Sequence, residues 1–248
     1  NAGDAITDGH NNVAVGSGAL GSETRGKCSV AIGNDALVTQ NTTSSNHIYN
    51  VAVGHQAGTS VTTGTSNTLI GAFTGDAITT GDRNVAIGRD ALGANVQGDR
   101  NIAIGYEALF NANPSGDVDT QNTAVGYQAG FNLTTGTDNT LIGTHVASGD
   151  TLTGANNTCV GAAAGHALTS GGNNLCLGHD AGRAASPSGN ITSGSDTICL
   201  GDNDINDLFC ADTSISSSDS RDKTDVTNFT GGLDWVKALR PVTYKWDK

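Results

Sequence analysis

One short phrase recurs along most of the chain: a polar residue, three small or apolar residues, then Gly. It reads NVAVG at Asn12, SVAIG at Ser29, NVAVG at Asn50, NTLIG at Asn67, NVAIG at Asn84 and NIAIG at Asn101. It continues as NTAVG at Asn122, NTLIG at Asn139, NTCVG at Asn157, NLCLG at Asn174 and a degenerate TICLG at Thr197, eleven copies in all. The closing glycines, Gly16 to Gly201, lie 17, 21, 17, 17, 17, 21, 17, 18, 17 and 23 residues apart, so 17 is the unit and the longer gaps are insertions. A 72-residue duplication sits on top, pairing VGHQAG at Val53 with VGYQAG at Val125 and TTGTSNTLIG at Thr62 with TTGTDNTLIG at Thr134. Such self-similarity is the mark of an array built from one repeated structural rung.

Read by column, the residue before each Gly is Val, Ile or Leu, and the residue three before it is Val, Ile, Leu or Thr. Side chains alternate along a strand, so these two share one face. The column between them is Ala, Leu or Cys and takes the other face. A strand apolar on both faces is expected between two packed surfaces. After the Gly a second small apolar pair recurs, as Ala36-Leu37 or Ala57-Gly58, and the rest of each rung is Thr, Ser, Asn, Asp and Gly, which supply turns. The pattern predicts an all-β, repetitive β-solenoid or β-roll rod of about eleven 17-residue rungs.

A triangular β-helix wants aliphatic residues about every six positions, yet Ile87 is followed at those steps by Gly93 and Asp99. The corner column at Val96, Thr62, Thr79, Thr134 and Thr151 is mostly Thr. The coil therefore looks short of a core of its own, and the missing partner is expected to be other copies, in an intertwined parallel homotrimer. Composition agrees: of 248 residues 36% are hydrophobic, 4% aromatic, 35 are Gly and none is Met, too little apolar mass for one compact globule. Disorder is excluded because charged residues are only 15% and the apolar ones are periodic.

The net charge of −12 argues against nucleic acid and anionic membrane partners, and no run of 18 apolar residues exists to cross a membrane. Residues 1–210 hold 18 acidic and 6 basic side chains, while 211–248 hold 6 of each and both Trp residues, Trp235 and Trp246. Two modules are therefore expected: a fibre shaft or head at 1–210, and, after a Ser-rich linker at 211–217, a small α+β segment at 218–248. Beginning at Asn1 without Met, the chain is expected to be a fragment or a processed form.

The rung phrase resembles the NxVAIG-type repeats in the heads of trimeric adhesins and in tail fibres of bacteriophages and related viruses. The tail, SDSRDK followed by GLDWVKALRPVTYKW, closely resembles the start of the endosialidase-type intramolecular chaperone, also known as peptidase S74. In that family the module trimerises, guides folding of the fibre before it, and cuts itself off ahead of a Ser with help from a Lys five positions on. The resemblance assigns those roles to Ser218 and Lys223. A Ser hydroxyl needs a base to become nucleophilic, and a Lys amine serves once it is neutral. Ser220 is a competing nucleophile, and Asp222 beside Lys223 opposes loss of its charge. The family module runs well beyond the point at which this sequence stops, Lys248.

Other chemistry is thinly supplied. Cys159, Cys176 and Cys199 share the Ala column and read as small buried side chains; there is no Cys-x-x-Cys. His10, His47, His55, His145, His166 and His179 share no ligand spacing, the glycine-rich calcium repeat is absent, and no metal or cofactor is expected. Tyr49, Tyr106, Tyr127, Phe73, Phe110 and Phe131 read as scattered rather than as a sugar-stacking platform. Asn ahead of each strand is expected to hydrogen-bond turn backbone. The resemblance implies a virion tail fibre or extracellular protein that is homotrimeric, carries a host-surface glycan or protein receptor specificity, and joins other virion tail proteins. A trimeric bacterial adhesin or appendage filament, or a polysaccharide-depolymerising tailspike, stands as the alternative.

Overall fold

The computed structural model describes residues 1–42 and 46–207, and they contain strands and turns with no helix. The strands in chain order are β1 (Val13–Val15), β2 (Val30–Ile32), β3 (Val51–Val53), β4 (Thr68–Ile70), β5 (Val85–Ile87), β6 (Gly98–Asp99) and β7 (Ile102–Ile104). Then come β8 (Val118–Asp119), β9 (Thr123–Val125), β10 (Thr140–Ile142), β11 (Thr158–Val160), β12 (Leu175–Leu177) and β13 (Ile198–Leu200). Eleven of them form one parallel sheet in the order of their rungs, and β6 pairs with β8 beside it. The register never slips: Val51, Ala52 and Val53 face Thr68, Leu69 and Ile70, and so on through the array. This is a parallel β-solenoid of about ten turns, rising about 4.8 Å per strand and so spanning roughly 48 Å. The chain divides into a first unit, Asn1–Asn206, and a second, Asp207–Lys248; the expected α+β segment lies outside the described residues.

A three-residue strand survives because each rung ends it sharply. At Gly71 the chain turns at φ +139°, and a Cβ there would stand 2.6 Å from the carbonyl oxygen of Gly88 in the next rung. Only Gly allows that approach and that φ. Two tight turns follow in succession, closed in the third rung by Ala57 N–H to Gly54 C=O at 3.4 Å and Val61 N–H to Gly58 C=O at 3.0 Å. The first half of the array extends further back than the phrase suggests. Gly3 (φ +59°) and Ile6 repeat the Gly58 and Val61 pair, and the Gly3 N–H donates to Ala19 C=O at 2.8 Å.

The structure corrects the expectation of a coil without its own core. The Ala, Leu and Cys column points inward, and Ala31, Ala52, Leu69, Ala86, Ala103, Ala124, Leu141 and Cys159 are all fully buried. They meet the second apolar pair and one residue three positions later: Ala57 with Val61, Ala91 with Leu92, Leu109 with Ala112. Tight turns, rather than six-residue faces, bring these together, which is why the spacing of Ile87, Gly93 and Asp99 misled. The interior is narrow enough that bulk is rationed between rungs. Where the second turn opens with Gly58 or Gly75, Val61 or Ile78 fills the space; where it opens with Leu20, Leu37 or Leu92, the later position is Glu23, Gln40 or Asn95.

A column of asparagines runs beside the core and ties rung to rung. Asn84 donates from Nδ2 to Gly98 C=O at 2.9 Å, and its Oδ1 accepts the Asn101 N–H at 2.9 Å. The same pair of contacts recurs at Asn67, Asn122, Asn139, Asn157 and Asn174. The expected turn contact is therefore present, with an added bond along the rod axis. Ser29 interrupts the column, and a buried polar group fills in: Gln40 Nε2 donates to Ser29 Oγ at 3.2 Å and to Glu23 Oε2 at 2.9 Å, while Gln40 Oε1 accepts from Asn50 Nδ2 at 2.9 Å.

Candidate interaction surfaces

With small side chains turned inward, the larger Val, Ile and Leu columns of the eleven-stranded sheet must face outward. Eighteen of these 22 outward positions are apolar and four are Thr, and none carries a charge. Every one is at least partly exposed; Val15, Ile70, Ile142 and Leu200 keep 55%, 38%, 39% and 43% of their surface. A stripe about 48 Å long and about 10 Å wide gives roughly 500 Å² of apolar surface, at the upper end of what monomers leave open. Charged residues and Lys gatekeepers, the usual protection of exposed sheet, are missing from it.

One residue beyond the Gly corner runs a ladder of rings. Arg89 lies 5.9 Å from the Tyr106 ring centroid, Tyr106 stacks on Tyr127 at 5.4 Å and 12°, and His145 meets Tyr127 edge-on at 5.1 Å. A second stack, Phe110 on Phe131 at 5.4 Å and 6°, parallels it. Residues scattered in sequence are thus brought together because the intervening rung is 21 residues long and returns each to its own column. The spacing carried that signal: Tyr106 to Tyr127 and Phe110 to Phe131 are both 21. Each stack covers one face of each ring it joins, and Tyr127 still keeps 46% of its surface exposed. Glu107 beside the ladder accepts a hydrogen bond from Gln128 Nε2 at 2.6 Å, and its hydrogen bond with the Tyr106 hydroxyl, with the burial and negative charge around it, raises the Tyr106 pKa.

Cys159, Cys176 and Cys199 stand in register on β11, β12 and β13, buried and free of disulfides. Hydrogen bonding to Cys176 and burial hold the Cys159 thiol protonated. No group of three His, Cys, Asp or Glu side chains fit for a metal occurs among the described residues. At the last rung His179 and Asp202 pair at 3.0 Å, which raises the histidine and lowers the carboxylate. Ser218 and Lys223 lie outside the described residues.

The sequence pattern of the Peptidase S74 family, chaperone of endosialidase, matches residues 218–248. No curated protein and no solved structure matches the chain. A repetitive β-solenoid followed by a segment similar to that chaperone fits a tail-fibre-like protein.

Proposed function

We propose that the chain is the shaft and attachment portion of a homotrimeric fibre, carried on a virion or other extracellular surface, whose assembly is directed by the module beginning at Ser218. The order of parts carries this reading: a rod of repeated rungs, then a segment similar to a chaperone of endosialidase that starts at residue 218. The uncharged apolar stripe supports three copies packed side by side, each giving its sheet face to the others. Host-surface glycan or protein would be met by insertions that leave the rung path, and other tail proteins by the ends of the rod.

Release of the module follows from the chemistry of its first residues. Ser218 Oγ attacks the Ser217 carbonyl carbon as the neutral Lys223 amine takes the hydroxyl proton, and that proton passes to the departing Ser218 nitrogen. Water then hydrolyses the resulting Ser217 ester, leaving a fibre that ends at Ser217. Intact mass of the full-length protein is expected to show this cut, and Ser218→Ala to abolish it; an unchanged cut in the variant overturns the assignment. The rate should climb with pH as Lys223 loses its proton, and Asp222→Asn should shift that climb to lower pH by removing an adjacent stabilising charge.

A further inference from the structure

The longest gap between rungs, 23 residues from Gly178 to Gly201, places all its excess between Gly182 and Ile191. This insertion is built into the rod rather than hung from it. The Ile191 N–H returns to Gly182 C=O at 2.9 Å, and the buried Ser186 Oγ donates to Arg183 C=O at 2.7 Å. Ser188 Oγ donates to Cys199 Sγ at 3.3 Å, so the loop is pinned to the core column from inside. Between the loop and the two preceding rungs opens a cavity of about 360 Å³. Its polar lining is Asp150, His166, Asp180, Arg183 and Asn190, over a floor of alanine methyls.

Two of these polar groups, Arg183 and Asp180, are held by each other before any ligand arrives. Arg183 Nη1 bonds Asp180 Oδ1 at 2.6 Å, with the arginine side chain 40% and the aspartate 19% exposed. Burial and the nearby Arg183 lower the His166 pKa, against the opposite pull of Asp150 and Asp180, so the imidazole is neutral at pH 7. Two carboxylates and one guanidinium then leave the cavity with a net charge of −1 within a chain of −12.

We propose that this cavity is a binding site for a neutral saccharide, which deepens the attachment reading above by naming its ligand class. Vicinal hydroxyls offer paired donors and acceptors that carboxylate, amide and guanidinium planes match two at a time, and imidazole adds a single donor or acceptor. The methyl floor receives the C–H face of a pyranose or an N-acetyl methyl group. Local and overall negative charge exclude sialic, uronic and sulfated sugars, since the one cation is already paired with Asp180. A cavity of this size takes one or two sugar units.

Saturation-transfer NMR and calorimetry on the whole chain, with glucose, galactose, mannose and N-acetylglucosamine against sialic and glucuronic acid, test this. At least one neutral sugar should bind with a millimolar Kd and neither acid should bind. Asp150→Asn and Asn190→Ala, both on exposed loop backbone, should each weaken binding by about tenfold, the loss of one good hydrogen bond to a charged or amide partner, with the melting temperature unchanged. No saturable neutral sugar, or binding that survives both variants, overturns the site, as does binding confined to the acids. A separate cell-binding assay judges attachment: sugar binding without cell binding leaves this site standing and removes the attachment reading.

Discussion

Single residues carry loads here that their types do not advertise. Among the described residues, twenty-five non-glycine positions hold positive φ, Leu20, Leu37, Leu92, Arg83 and Arg100 with them, where an L-residue costs about 1 kcal/mol. The array holds them in place by hydrogen bonds to the adjoining rung, as from Leu20 N–H to Ala36 C=O at 3.1 Å and from Leu37 N–H to Ala57 C=O at 3.0 Å. Arg83 is exposed at φ +58°, so Arg83→Gly should relieve that strain and, net of the about 0.5–1 kcal/mol that the freedom of Gly costs, raise stability by no more than about 0.5 kcal/mol, whereas Ala at the same place should bring no gain; melting temperatures of the two variants check this. Glu23 is the opposite case, a fully buried carboxylate. Burial pushes its pKa up, but the Gly26 N–H at 2.7 Å, Gln40, and the Arg25 and Thr42 N–H groups outweigh it and leave the pKa lowered. Its contribution is therefore complete above the ordinary carboxylate range and lost as pH falls through the lowered folded value. Glu23→Gln should destabilise the protein at pH 7 by about 1–3 kcal/mol and flatten its acid sensitivity, both visible in melts run from neutral to acidic pH.

At the scale of the rung, the packing rule is a volume exchange, and a paired substitution tests it. A Cβ on Gly58 would stand 2.7 Å from Leu69 Cδ1 and 2.9 Å from Leu37 Cδ2, side chains of the two neighbouring rungs. Gly58→Leu should therefore cost about 2–3 kcal/mol by overpacking. Leu69→Ala alone should cost a similar amount by leaving a cavity. The double variant should recover part of both losses, a coupling that denaturant melts of the four proteins measure directly. Strand position, register and rung length were legible because Asn84, Ala86 and Gly88 recur in fixed columns. Which face is inside was not legible, since Ala86 and its neighbours Val85 and Ile87 are all apolar. The interior of a 17-residue coil is too narrow for two columns of Val and Ile, so the smaller column takes it, a steric fact about closure that no single rung displays. The cavity at Arg183 was hidden for another reason: Asp150, His166 and Asn190 come from three rungs and share no spacing.

For the whole molecule, a solenoid that fills its own core changes what association has to supply. Copies are not needed to complete the rungs, so one chain is expected to keep its fold alone, and the proposed assembly would rest on the outward stripe. Each copy brings a charge of −12, yet no charged residue lies in the stripe itself, so repulsion acts from the flanks and is open to screening. Roughly 500 Å² per chain is modest beside the roughly 800 Å² per partner of a stable pair, which explains why a chaperone-like segment would be required to bring three chains together. Sedimentation of the full chain should thus report three copies, more completely as salt rises. Replacing Ile70 and Ile87 by Lys puts two charges at the centre of the stripe on outward positions that a lone chain tolerates. That variant should sediment as a monomer with an unchanged circular dichroism spectrum and a melting temperature that no longer depends on protein concentration. A wild-type chain that stays monomeric at micromolar concentration in high salt would refute the stripe as an interface, and a trimer that survives both lysines would place the contact elsewhere on the rod.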